Sequence, residues 1–213
     1  APQVFDLLRG VGNRNAQGEY YLTDVVAAAA AAGRRVESLV VQDARETMGI
    51  NDRRQLALAE AVMRQKINDR HMLDGVSLVD PATAYIDADV QIGSDSRLYP
   101  GVHLRGTTRV GRNCVIEPGV VLTDCKIGDQ VHLKAGSVLA ESIVGDECAI
   151  GPMAHLRPGT VLHGQNKLGN FVETKKAVIG RKSQASHLTY IGDATLGKNV
   201  NIGCGTITCN YDG

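Results

Sequence analysis

Aliphatic residues recur at every sixth position through the second half of the chain. Ile86, Ile92, Leu98, Leu104, Val110, Ile116 and Leu122 follow one another without a break. The series resumes at Ile127, Leu133, Leu139, Val144, Ile150, Leu156, Leu162 and Leu168, with two steps shortened to five, and continues through Ile179, Ile191, Leu196 and Ile202. A smaller residue stands two positions earlier in many units, as at Ser96, Thr108, Cys114, Ser137, Cys148 and Ala154. Glycine often follows the aliphatic residue, as at Gly93, Gly111, Gly128, Gly151, Gly169 and Gly180. A six-residue unit is one short strand plus a turn, and three units close a triangular coil with the aliphatic side chains inside. No coil buries its apolar face alone, so stacking makes the core. The pattern predicts a parallel β-helix of about six or seven coils at about 18 residues each. Glycine is expected to supply turn dihedrals that a Cβ would penalise.

The residues before Pro81 follow a different pattern. Val25–Ala32 reads as an alanine-rich helix, with Thr23 or Asp24 near its cap and Gly33 as its stop. Val36–Val41 reads as a strand. From Asn51 or Asp52 to about Leu73 a second helix carries Leu56, Ala59, Met63 and Ile67 on one face. At 1.5 Å per residue it is roughly 30 Å long, a length that suits a connecting strut. These elements are too few for a complete α/β domain, and no glycine-rich phosphate loop is present. The organisation expected is an α/β remnant over 1–50, a linker helix over 51–75 and a β-helix over 76–213. The chain opens on Ala1 and closes on Gly213 inside the repeat, so it reads as a piece of a longer polypeptide.

Composition narrows the function classes. Twenty-three basic residues balance twenty-three acidic ones, which argues against a broad electrostatic footprint for nucleic acid or an anionic membrane. A small local cluster that holds one phosphate is unaffected by that balance. The longest apolar stretch, Val25–Ala32, is far short of the roughly 20 residues a membrane span needs. Cys114, Cys125, Cys148, Cys204 and Cys209 show no CxxC spacing, and three of them fall at small inward positions of the repeat. They read as reduced packing cysteines of a cytoplasmic protein. His71, His103, His132, His155, His163 and His187 scatter over different register slots, with no spacing for a zinc site.

Chemistry is expected where the six-residue register breaks and polar groups project outward. From Leu168 to Ile179 the interval is eleven, so a residue is missing around Glu173-Thr-Lys-Lys-Ala177. Ser186-His187-Leu-Thr-Tyr190, Asn199-Val-Asn201 and Thr208-Cys-Asn-Tyr-Asp212 follow. With His155-Leu-Arg157-Pro, these segments recur about 18 residues apart, one coil, which places Arg157, Lys175, His187–Tyr190 and Asn210-Tyr211 along one side of the prism. His187 lies two positions after the inward slot at Ala185, so it is a surface imidazole, either catalytic or merely solvated. Arg157 and Lys175 read alone as solvated charges, and Asn201, Asn210 and Tyr211 as turn-satisfying residues. Their convergence on adjacent coils raises the case for a site.

Arg157-Pro-Gly159, Gly169-Asn-Phe-Val-Glu-Thr-Lys-Lys176, Ser186-His-Leu-Thr-Tyr-Ile-Gly-Asp193 and Asn199-Val-Asn-Ile-Gly-Cys-Gly-Thr-Ile-Thr-Cys-Asn-Tyr-Asp-Gly213 carry a resemblance. They closely resemble the bacterial bifunctional N-acetylglucosamine-1-phosphate uridyltransferase/glucosamine-1-phosphate N-acetyltransferase. Asn15-Ala-Gln-Gly-Glu-Tyr-Tyr-Leu-Thr-Asp24 and Gly49-Ile-Asn-Asp-Arg-Arg-Gln-Leu56 resemble the end of its uridyltransferase domain. The resemblance spans essentially the whole chain and implies a left-handed hexapeptide β-helix; the hand comes from the resemblance alone, because spacing does not set it.

The resemblance also implies roles. His187 is the general base that takes a proton from the sugar amine as it attacks the thioester of acetyl-CoA, and Glu173 orients or polarises it. Arg157, Lys175 and Tyr190 hold the phosphate of glucosamine 1-phosphate. Asn201, Asn210 and Tyr211 contact the amino sugar. Cys204 stands in the segment facing the acetyl group, where the family usually has alanine. Asn51 matches an asparagine that helps bind magnesium (Mg2+) and nucleotide in the uridyltransferase half, which makes UDP-N-acetylglucosamine from UTP for peptidoglycan and lipopolysaccharide synthesis. The family is a cytoplasmic homotrimer with each acetyl-transfer site shared between subunits, and no nucleic acid or membrane partner is implied. Two other readings stay open: another hexapeptide acyltransferase, and a non-enzymatic scaffold like the β-helix subunits of translation-initiation exchange factors.

Overall fold

A computed structural model describes residues 2–209. The chain divides into two compact units, Ala1–Gly49 and Ile50–Gly213.

The first unit holds helices α1 (Pro2–Leu8) and α2 (Asp24–Ala31) and a 3-10 turn at Ala44–Thr47. α2 falls on the alanine-rich run and ends where Gly33 turns left-handed at φ 66°. Thr23 stands at its N-cap, but the hydroxyl makes no capping bond. The expected strand Val36–Val41 does not form; the segment is irregular, with Leu39 and Val40 92% and 83% exposed. A strand is stabilised by cross-strand neighbours and a face to bury, and among the described residues this unit supplies no second strand.

In the second unit α3 spans Arg53–Leu73 and starts at Asp52, whose carboxylate accepts the Gln55 N–H at 2.8 Å. Its apolar face differs from expectation: Ile67 packs against the core, while Leu56 and Met63 are exposed. The residues it buries are Asn68 and His71. The Asn68 amide donates to the carbonyls of Pro81 and Ala84 at 2.8 and 3.0 Å, at the entry to the first coil. The Arg64 guanidinium lies 4.8 Å above the Tyr85 ring, which in turn stacks on His103 at 4.6 Å. The helix is thus not a free strut. It lies against the first coil, where a solenoid needs its apolar end covered.

The solenoid follows the repeat. Short strands from Ser77–Leu78 to Asn201–Ile202 pair in parallel with their counterparts one coil away. One face carries Leu98, Ile116, Leu133, Ile150 and Leu168 inward; the second carries Ile86, Leu104, Leu122, Leu139 and Leu156; the third carries Ile92, Val110, Ile127, Val144 and Leu162. Most of these side chains are completely buried. Hydroxyls in the smaller inward slots are satisfied by backbone. Ser96 donates to the Gly111 carbonyl at 2.8 Å and accepts the Cys114 N–H at 3.0 Å, and Ser183 does the same with Gly197 and Val200 at 2.6 and 2.9 Å. The buried thiols are packing groups: burial pushes Cys114 and Cys125 up, and Cys148 up to about 11, so none is a thiolate near neutrality.

Two features of the repeat acquire a cause. The five-residue steps, Leu122 to Ile127, Leu139 to Val144, Thr174 to Ile179 and Ile191 to Leu196, all fall at the corner between the second and third faces. There the left-handed turn residue is Asp124, Glu141, Lys176 or Asp193. The glycines after the aliphatic residues do not serve mainly to supply turn dihedrals, as the repeat suggested. Of the six cited, only Gly151 has positive φ. A Cβ on Gly93 would sit 2.7 Å from the Gly111 carbonyl carbon, and one on Gly111 2.6 Å from that of Gly128. Glycine is required there because the next coil's backbone passes too close for a side chain.

Candidate active site

In the sixth and seventh coils two nine-residue strands, Lys167–Lys175 and Gln184–Gly192, run around the corner between the first and second faces without interruption. They pair in continuous parallel register from Lys167 opposite Gln184 to Lys175 opposite Gly192. This continuity fixes what stands beside what. On the second face His155 lies opposite Glu173, and Glu173 opposite Tyr190. Arg157 is two residues beyond His155, on the same outward side, and its backbone N–H bonds to the Thr174 carbonyl at 2.8 Å. Its guanidinium donates from Nη1 to Glu173 Oε1 at 2.9 Å, with both side chains about half in solvent, 40% and 41% exposed.

The backbones that carry these groups are held from inside the prism. The inward Thr160 hydroxyl donates to the Arg157 carbonyl at 2.8 Å and contacts the buried Thr174 hydroxyl at 2.9 Å. Thr189 does the same for the imidazole, its hydroxyl donating to the His187 carbonyl at 2.9 Å. Lys175 stands opposite Gly192, and the Tyr190 phenol lies across that glycine: a Cβ there would meet the phenol oxygen, with ring Cζ at 2.6 Å. Gly192 therefore lets the phenol lie toward Lys175.

His187 sits at the corner itself, exposed and opposite Asn170; among the described residues its ring takes no hydrogen-bond partner. Phe171 and Leu188 follow these two in left-handed conformations, φ 55° and 48°, and both are exposed. The N–H of Gly205 reaches the Leu188 carbonyl at 2.9 Å, so exposed Cys204 stacks one coil after His187. Asn201 is not brought to the second face; it pairs with Gln184 on the first. Asn210 and Tyr211 lie outside the described residues. Met153, Phe171 and Leu188 share one exposed left-handed slot, 18 and 17 residues apart in the sequence.

Asn51 lies just before α3, exposed, with its N–H on the Gln55 side-chain oxygen at 2.5 Å. Among the described residues no group of three or more His, Cys, Asp or Glu side chains could hold a metal ion. Beside Asn51, the Asp52 carboxylate is engaged as the α3 cap.

Comparison with known proteins gives these positions a context. Residues 75–168 match the family described as the GMPPB C-terminal domain. The bifunctional protein GlmU of Syntrophotalea carbinolica is 66% identical over 213 residues, covering 100% of this chain and 46% of that protein. Over its whole length this chain is similar to GlmU. GlmU of Geobacter sulfurreducens is 53% identical over 227 residues, covering 99% of this chain and 48% of its own length. GlmU of Lactobacillus johnsonii is 49% identical over 211 residues, covering 99% and 46%. The chain spans about half the length of the curated relatives it matches. Among solved structures, the UDP-N-acetylglucosamine acyltransferase from Campylobacter jejuni is similar over 60% of this chain and 63% of that one, at 18% identity and a TM-score of 0.34.

Proposed function

We propose that the second face and its corner form the sugar-phosphate side of an acetyl-transfer site, within a GlmU-type protein that acetylates glucosamine 1-phosphate and elsewhere makes UDP-N-acetylglucosamine from UTP. The observation that carries this reading is the grouping of Arg157, Lys175 and Tyr190 on one face, with the exposed imidazole of His187, unpartnered among the described residues, at the adjoining corner. A guanidinium, an ammonium and a phenol suit a sugar phosphate. Neutral imidazole takes the proton from the sugar amine; the amine nitrogen bonds to the thioester carbonyl carbon of acetyl-CoA; the carbon–sulfur bond breaks and coenzyme A leaves as the thiol. Cys204, one coil beyond His187, stands where the acyl donor approaches. Asn201, Asn210 and Tyr211 are assigned to the amino sugar, Asn201 reaching it from the first face of the same coil or from a neighbouring copy.

The face is an open surface, which supports a homotrimer in which an adjacent copy closes each site. Among the described residues no helix is long and apolar enough to cross a membrane. A cytoplasmic setting fits the need for acetyl-CoA and UTP, and magnesium belongs to the uridylyl-transfer half, with Asn51 as one residue that helps bind it. The test is a substrate panel on the intact polypeptide. Acetyl-CoA-dependent acetylation should favour glucosamine 1-phosphate over unphosphorylated glucosamine by at least about 100-fold in kcat/KM, and Arg157→Ala should remove most of that preference. Equal turnover of the two sugars would assign the coils to a different acyltransferase, and no turnover of any amine would favour a scaffold.

A further inference from the structure

We infer that Glu173 is a positioning residue for Arg157, fixing the guanidinium that receives the sugar phosphate, and does not act through His187. This rests on the acetyl-transfer reading above and refines it. The only hydrogen bond to the Glu173 carboxylate among the described residues comes from Arg157 Nη1, at 2.9 Å. Glu173 stands opposite Tyr190 in the middle of the second face, whereas His187 is three residues earlier, beyond the left-handed Leu188 at the corner. The His187 carbonyl is tied down by Thr189 instead. On the arginine side the arrangement is purposeful. Thr160 and Ser142 fix the Arg157 carbonyl at 2.8 and 3.3 Å, and Glu173 fixes the far end of the side chain. A guanidinium has five donors in a rigid fork. A single bond from Nη1 leaves the rest free to point at a phosphate between Arg157 and Lys175, its neighbour in register one coil on.

An ion pair this exposed adds little to folding stability. Its effect is on orientation: an arginine held in one rotamer loses less freedom when the phosphate arrives. The carboxylate also repels the phosphate, so charge and hydrogen bonding must be separated experimentally. Glu173→Gln keeps an acceptor for Arg157 and removes the charge; Glu173→Ala removes both.

The experiment is steady-state acetyl transfer by the intact polypeptide over a range of pH. Glu173→Ala should raise KM for glucosamine 1-phosphate by about 5- to 10-fold, with kcat within about twofold and the acid limb of the kcat profile in place. Glu173→Gln should keep KM within about twofold of the parent. In an Arg157→Ala background, Glu173→Ala should add nothing further. The inference is overturned if KM is unchanged, if kcat falls and its acid limb moves to lower pH, or if the two substitutions multiply. Running His187→Ala in parallel separates the two levels. Full activity of that variant sinks the acetyl-transfer reading itself, whereas its inactivity alongside a kcat defect in Glu173→Ala sinks only the assignment of Glu173 to Arg157.

Discussion

His71 shows how far a single side chain can depart from its sequence context. It sits in the last turn of α3, 4% exposed, with Nε2 buried and lacking a partner among the described residues, beside a cavity of about 310 Å3 lined by Arg70, Asp74 and Asp89. Burial, and secondarily Arg70, hold its pKa below the ordinary 6.5, with Asp74 opposing them. The unfolded chain therefore takes up a proton near pH 6.5 that the folded chain resists, so acid favours unfolding. The urea midpoint should fall as pH drops from 6.5 toward 5, and His71→Phe should flatten that dependence; an unchanged slope in the variant would assign the acid sensitivity to another group. His71 lies four residues after Ile67, on the face the apolar stripe of α3 marks, but only this end of the stripe is covered, while Leu56 and Met63 stay exposed. Gly169 is a clearer residue-scale case. The repeat marked it, but only the structure gives the reason, since a Cβ there would run into the Ser186 carbonyl oxygen of the next coil. Gly169→Ala should cost at least about 2 kcal/mol in chemical denaturation.

Elements that rest on local physics were legible, and those that rest on partners were not. α2, with its glycine stop, and α3, with its aspartate cap, lie where the sequence put them, within a residue or two. Removing the α3 cap with Asp52→Ala should cost about 1 kcal/mol, read from the urea midpoint of the intact chain. The segment Val36–Val41 has the composition of a strand, yet a strand exists only by pairing, and its unit offers no ladder. The two nine-residue strands of the sixth and seventh coils were legible only as a break in spacing; their continuous register around a corner is what aligns Arg157, Glu173, Lys175 and Tyr190. Gly192 belongs to that alignment. Gly192→Ala should displace the Tyr190 phenol and raise KM for the sugar phosphate several-fold while leaving kcat nearly intact, a change that steady-state kinetics resolves.

At the scale of the molecule, six-residue periodicity was enough to foresee a triangular coil stacked about six or seven times, because inward aliphatics and stacked strands follow from the repeat. The site was harder to read. Most of its residues lie outside the packing pattern, so periodicity could say only where to look, and family resemblance supplied the roles. The structure gathers Arg157, Glu173, Lys175 and Tyr190, sets His187 at the adjoining corner, and leaves Asn201 on another face. The central claim is that this imidazole takes the proton of an attacking amine. The most direct measurement is kcat for acetyl transfer to glucosamine 1-phosphate by the intact polypeptide, parent against His187→Ala, with folding of the variant verified by its urea midpoint. The account predicts a loss of at least about 100-fold, the scale of a general base. A well-folded variant whose kcat stays within twofold of the parent would contradict it.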